Sequence, residues 1–134
     1  MLRRIDHIGV VVADLRWHMR QLENLGLALD RSNDSEQSLA RYYPCGDASV
    51  ELIEARTPET RAERLGGAAA RIEHIAFEVD DLAEVRDRLT ARGVTVTWPP
   101  VRSGPNLMIW TDAASSGGVQ YQFLARAEQD GDVP

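Results

Sequence analysis

Residues 5–12 and 72–79 are short runs rich in β-branched side chains, which predicts two strands. Directly after each run the apolar positions space out to helical intervals. Leu15, Met19, Leu22 and Leu25 fall on one face of a first helix, and Leu82, Val85 and Leu89 on one face of a second. Asp14 and Asp81 stand where N-caps belong, Asp81 with Glu84 makes a capping-box pattern, and Gly26 and Gly93 supply the stops. Short strands are then predicted over 27–31, 38–43 and 49–53, and again over 94–98, 107–111 and 119–124. Segment 55–70 is polar and rich in alanine and glycine, a linker with one helical turn around 59–65, and 126–134 reads as a frayed tail.

The two halves of this pattern are copies. Arg4-Ile5-Asp6-His7-Ile8-Gly9-Val10-Val11-Val12-Ala13-Asp14-Leu15 returns as Arg71-Ile72-Glu73-His74-Ile75-Ala76-Phe77-Glu78-Val79-Asp80-Asp81-Leu82, at an offset of 74 − 7 = 67 residues. Leu22 and Gly26 map onto Leu89 and Gly93 in the same register. Val50-Glu51-Leu52-Ile53 matches Tyr121-Gln122-Phe123-Leu124 at 122 − 51 = 71, as if the second copy carried a short insertion. The expectation is one domain over 1–134 with repeats at about 4–54 and 71–125, each running strand, helix, then three strands.

Alternate residues of a strand point to opposite faces. Ile8, Val10 and Val12 take the face that packs on the first helix, leaving His7, Gly9 and Val11 on the other. The same division puts His74, Ala76 and Glu78 away from the second helix, Glu51 away from the first, and Gln122 at the position equivalent to Glu51. One histidine on a strand is an ordinary hydrogen-bonded residue. Four polar residues at matched positions of two repeats are a donor set: two imidazoles, a carboxylate and an amide oxygen suit a divalent first-row ion with positions open to water or substrate. His18, on the first helix without a counterpart, reads as a surface residue.

Composition narrows the chemistry. With 134 residues, 43% hydrophobic and 27% charged, the chain can bury a core. The net charge of −6 argues against a nucleic-acid partner. All 15 basic residues are arginine, so Schiff-base and P-loop lysines are excluded. No apolar run approaches the roughly 18 residues of a membrane span, no signal-peptide pattern opens the chain, and the lone Cys45 suits a reducing compartment. A cytoplasmic protein without a membrane partner is expected. Tyr42, Met108, Trp110 and Arg102 are candidates to meet a small-molecule substrate, with Trp98 a weaker one and 102–105 read as a mobile loop.

Asp6-His7-Ile8-Gly9-Val10, Val50-Glu51-Leu52-Ile53-Glu54 and Glu73-His74-Ile75-Ala76-Phe77-Glu78-Val79-Asp80-Asp81, in this order within a duplicated chain, resemble the vicinal oxygen chelate superfamily, the glyoxalase, bleomycin-resistance and extradiol-dioxygenase group. The likeness runs from about Arg4 to Ala125. It implies an α+β fold in which two βαβββ modules form a cupped eight-stranded mixed sheet around a metal, in a homodimer. The linker, the second histidine string and Gly117-Gly118-Val119 look like methylmalonyl-CoA epimerase, while glutamate at position 51 is similar to glyoxalase I. Both relatives typically carry glutamate as fourth ligand, where this chain has Gln122, and the epimerase usually has its glutamine at the place of Glu51.

The functional expectation is therefore a metal-dependent isomerase, epimerase or lyase working through a metal-stabilised enolate on a small oxygenated or thioester substrate. His7, Glu51, His74 and Gln122 would hold one ion of nickel, cobalt, manganese, zinc or iron. A glutamine cannot act as a base, so Glu51 is the candidate to move the proton, and Glu78 or Tyr42 would be a second base if one exists. Two other functions stay open. One is an Fe(II) ring-cleaving dioxygenase built on the two histidines and Glu51, although such enzymes usually carry the glutamate on the last strand. The other is a resistance protein that sequesters its ligand without chemistry.

Overall fold

The computed structural model describes residues 1–127. Eight strands form one mixed sheet: β1 Leu2–Val12, β2 Arg31–Asp34, β3 Ser38–Cys45, β4 Ala48–Ala55, β5 Ala70–Val79, β6 Val101–Ser103, β7 Asn106–Trp110 and β8 Gln120–Arg126. Their hydrogen-bonded order is β2-β3-β4-β1-β5-β8-β7-β6. Three helices complete the α+β fold: α1 Leu15–Asn24, α2 Pro58–Arg64 and α3 Leu82–Thr90. The described residues divide into two compact units, Asp6–His74 and a second made of Met1–Ile5 with 75–127. Among the described residues no helix is long and apolar enough to cross a membrane.

In the unit Asp6–His74, β1 runs parallel to β4 with Ile8 beside Val50 and Val10 beside Leu52, while β3 pairs antiparallel with β4. Helix α1 starts because two carboxylates satisfy its first amides: Asp14 accepts from Trp17 N, and Glu54, reaching over from β4, accepts from Leu15 N. Its apolar stripe joins Val12, Leu15, Tyr43 and Leu52, with Val10, Met19, Leu22 and Val50 around them. The opposite face of the strands is covered too. Val11, Ala40, Tyr42, Ile53 and Leu65 form a second cluster there, and Leu65 stands directly after the last residue of α2. With both faces covered, a polar side chain on this sheet has to find partners.

In the other unit Asp81 caps α3 by accepting from Ala83 N and Glu84 N. Val79, Leu82, Val85, Ile109 and Phe123 make its core, flanked by Phe77, Leu89 and Tyr121.

Three boundaries differ from the sequence reading. The strand expected at 27–31 begins only at Arg31, because Leu27 turns back onto the α1 cluster, its N–H reaching Leu22 O at 3.0 Å. Residues 94–98 carry a single bridge, Val96 to Thr111, instead of a strand. Pro99 and Pro100, which have no N–H to donate, interrupt the segment, and pairing resumes in β6. The loop expected at 102–105 is thus a hairpin: Ser103 faces Asn106 across Gly104-Pro105, and Gly104 at φ +59° adopts the left-handed backbone such a two-residue turn requires. Of the expected tail, Arg126 closes β8 and Ala127 N bonds to Pro105 O at 3.0 Å, while 128–134 lie outside the described residues.

Candidate metal centre

The parallel register of β1 and β4 sets His7 beside Ser49 and Gly9 beside Glu51. His74 ends the compact stretch of the same unit, on β5. His7, Glu51 and His74 are all buried, and one donor atom from each lies within 4.8 Å of the others. Glu51 Oε1 is 3.1 Å from His74 Nε2 and 3.4 Å from His7 Nε2. Ligands sharing one ion through bonds of about 2.1 Å lie about 3.0 to 3.4 Å apart in octahedral or tetrahedral arrangements, so the two distances from Glu51 fit a divalent cation. The donor chemistry, two imidazole nitrogens and a carboxylate, fits as well.

Gly9 makes room for this cluster. A Cβ placed there would lie 2.1 Å from His74 Cε1 and 2.3 Å from His74 Nε2, so only glycine lets the imidazole lie against β1. The signal was in the sequence: Gly9 interrupts a β-branched run on the face that carries His7, and its counterpart in the second repeat is the small, fully buried Ala76.

Each donor is oriented from behind. His7 Nδ1 is 2.8 Å from Asp6 Oδ2 and His74 Nδ1 is 3.0 Å from Glu73 Oε1. A carboxylate at Nδ1 places the proton on that nitrogen and leaves Nε2 as the ligand atom. Glu73 is gripped in turn by Arg64, whose Nε donates to Oε2 at 2.8 Å and whose Nη2 donates to Oε1 at 2.7 Å. Tyr42 OH donates to Glu51 Oε2 at 2.8 Å, and the Arg31 guanidinium lies 3.6 Å above the centre of the Tyr42 ring. Asp6, Glu73 and Arg64 were not among the residues singled out from the sequence. The two carboxylates were visible only as the residues before the paired histidines, and nothing in the linker marked Arg64.

The electrostatics follow from these contacts. Burial pushes the Glu51 carboxyl up, but the hydrogen bond from His74, the charges of His7 and His74 and the Tyr42 hydroxyl together hold it below the ordinary range. Burial also opposes ionisation of Glu73, and there Arg64 and His74 prevail, drawing it down to about 2. For His74 burial acts downward, and Glu51 with Glu73 reverses it, leaving the imidazole raised. Tyr42 is pushed far up by burial and by the negative charge of Glu51, so it keeps its proton. That excludes Tyr42 as a ready second base and makes it the group that orients Glu51.

The other candidates belong to the second unit. Gln122 lies on β8 opposite Trp110 of β7, and its Nε2 donates to Gln120 Oε1 at 3.1 Å. Met108 pairs with Val101 and Leu124, and Arg102 is exposed on β6. Trp98 is 42% exposed under the Arg86 guanidinium. Glu78, considered as a base, forms an ion pair with Arg4, Oε2 to Nε 3.4 Å. The structure brings Tyr42 to His7, Glu51 and His74 within one unit.

Comparison with known proteins places the chain in a family and a fold. The profile of the Glyoxalase/Bleomycin resistance protein/Dioxygenase superfamily matches residues 6–109. No curated protein matches the chain by sequence. Among solved structures, methylmalonyl-CoA epimerase from Mycobacterium tuberculosis superposes with a TM-score of 0.80 at 21% identity, over 98% of this chain and 93% of that one. A methylmalonyl-CoA epimerase variant from Streptomyces coelicolor, in complex with 2-nitronate-propionyl-CoA, gives 0.79 at 20%, over 96% and 100%. A hypothetical protein from Bacillus halodurans gives 0.75 at 24%, over 94% and 96%. At such identities these likenesses establish the fold.

Proposed function

The chain belongs to the glyoxalase/bleomycin resistance protein/dioxygenase superfamily, and from that premise we propose that it is a metal-dependent enzyme moving a proton on a carbon beside a carbonyl. Isomerisation, epimerisation and lyase reactions share this step, and the substrate is a small oxygenated compound or a thioester. The observation that carries the reading is the buried triangle of His7, Glu51 and His74. These three residues would hold a divalent ion, with Gln122 proposed as fourth donor on the register of the two repeats alone. The bound ion would supply Lewis acidity, polarising substrate oxygens so that the neighbouring C–H loses its proton more readily.

Glu51 is the residue assigned to take that proton. Each imidazole has Nδ1 engaged by a carboxylate, so only Glu51 has a second basic atom, Oε2, and Tyr42 holds that atom in place. Because Tyr42 keeps its own proton, it steers the carboxylate without competing for the substrate's. The acyl-CoA analogue seen in the Streptomyces epimerase makes acyl-CoA thioesters the first substrates to try, followed by 2-oxo-thiol adducts. A homodimer is proposed from the family likeness.

Solvent-deuterium incorporation into a panel of both substrate types tests the reading. Exchange is expected in the metal-loaded protein, and Glu51→Gln is expected to lower it by about 10²- to 10⁴-fold. Absence of exchange across the panel would overturn the proposal in favour of ligand sequestration. A second reading is favoured by the same triangle, since two histidines and one carboxylate are also the facial set of non-haem Fe(II) oxygenases. Oxygen uptake with catechols after loading with Fe(II) would select it.

A further inference from the structure

We propose that Arg64 is a positioning residue for the candidate metal centre, acting through Glu73 to hold His74 with Nδ1 protonated and Nε2 aimed at the ion. The inference rests on the reading of His7, Glu51 and His74 as a metal site, and it adds a residue from a segment outside both repeats.

Helix α2 is a local consequence of its sequence. Thr57 caps it by accepting from Thr60 N at 3.1 Å, Pro58 occupies a first-turn position where no N–H is needed, and Glu59 suits the positive end of the helix. At its other end Leu65 is buried among Val11, Ala40, Tyr42 and Ile53. Leu65 thus anchors the chain next to Arg64, and Arg71 Nη1 donates to Arg64 O at 2.7 Å, tying the same point to β5. The Arg64 guanidinium is therefore delivered by a backbone fixed on both sides.

Its contact with Glu73 is the two-point fork that arginine alone can make with a carboxylate. Two parallel bonds fix both the position and the plane of the Glu73 carboxylate. Oε1 is shared, taking Arg64 Nη2 at 2.7 Å and facing His74 Nδ1 at 3.0 Å, so the plane Arg64 imposes is the plane the imidazole reads. The ring has little freedom to compensate, because Gly9 packs against its Nδ1–Cε1–Nε2 side. Without Arg64, Glu73 would lose the contacts that fix its direction, and His74 would lose the constraint that selects its ligand nitrogen.

The test compares the wild-type chain with Arg64→Lys, Arg64→Gln and Glu73→Gln. The first readout is the exchange rate of the His74 Nδ1 proton in metal-free protein, followed by ¹⁵N NMR of the imidazole. The second is the zinc Kd measured by competition with a chelator. Arg64→Gln is expected to speed the proton exchange at least about tenfold and to weaken zinc about 10- to 100-fold, the usual effect of losing a partner behind a metal ligand. Arg64→Lys, which restores charge but not the fork, should fall between. If Arg64→Gln remains folded with both readouts within twofold of wild type, the proposal is overturned. If it does not fold, Arg64→Lys decides by the same criteria. Failure of the wild type to bind zinc at all would strike the metal reading instead, while the proton-exchange comparison would still decide whether Arg64 holds His74.

Discussion

His74 Nε2 lies 3.1 Å from Glu51 Oε1 while its Nδ1 lies 3.0 Å from Glu73 Oε1, so both ring nitrogens face carboxylate oxygen. With both carboxyls held ionised, the two contacts are satisfied together when the imidazole carries a proton on each nitrogen. Glu51 and Glu73, both held below the ordinary carboxyl range, thus each offer this imidazole an acceptor.

A cation held by His74 Nε2 needs that nitrogen without its proton, so metal binding competes with protonation. Protons should be released on binding at pH values where His74 still holds its second proton, and over that range the apparent affinity should climb about tenfold per pH unit. The raised titration of His74 extends this range above the ordinary imidazole value. Calorimetric titration with zinc in buffers of different ionisation enthalpy measures the release. No release, with an affinity flat in pH, would contradict the arrangement.

Glu73 should make the metal-free fold sensitive to acid. Its carboxyl titrates near 4.5 when unfolded and at about 2 when folded. A depressed carboxylate contributes its stabilisation above the unfolded value and loses it as pH falls through the folded one. The full contribution is up to about 3 kcal/mol, of which about 2 kcal/mol disappears between pH 6 and pH 3. Urea unfolding at these two pH values should show that loss in wild type and a much smaller one in Glu73→Gln.

Gly9→Ala tests the close approach of β1 to His74. The added methyl cannot share space with the imidazole, so the ring must move off its ligand position. Zinc affinity should fall by about 10- to 100-fold, a displacement comparable to losing an outer partner. Unchanged affinity would show that the ring has another seat.

Tyr42→Phe leaves Glu51 Oε2 buried without its donor and should cost about 1–3 kcal/mol in the metal-free protein. The phenyl ring keeps its stacking with Arg31, so the loss isolates the hydroxyl. Denaturant midpoints of the two proteins provide the measurement.

Much of this was legible from spacing alone, because strand alternation and helical periodicity are dictated residue by residue. Val10, Val12, Val50 and Leu52 reach the α1 side, and Val11 and Ile53 the other, as the pattern of residues requires. The histidines could be found because duplication wrote them twice. Strand β6 could not, since pairing at 101–103 depends on how Pro99 and Pro100 break the preceding segment and on what Asn106–Trp110 offers as a partner. Arg64 was hidden for a similar reason: nothing in a polar linker shows which arginine a distant carboxylate will meet. Gln122 is the converse, a residue assigned by register, and Gln122→Ala with at least a tenfold loss of zinc affinity would support its place as a donor.

The most direct test is elemental analysis of wild-type, His7→Ala and His74→Ala proteins purified without added metal, with zinc affinity measured on each. About one divalent ion per wild-type chain is expected, and little in either variant. Retention of the wild-type metal content and affinity in both variants would contradict the assignment of His7, Glu51 and His74 as a metal centre.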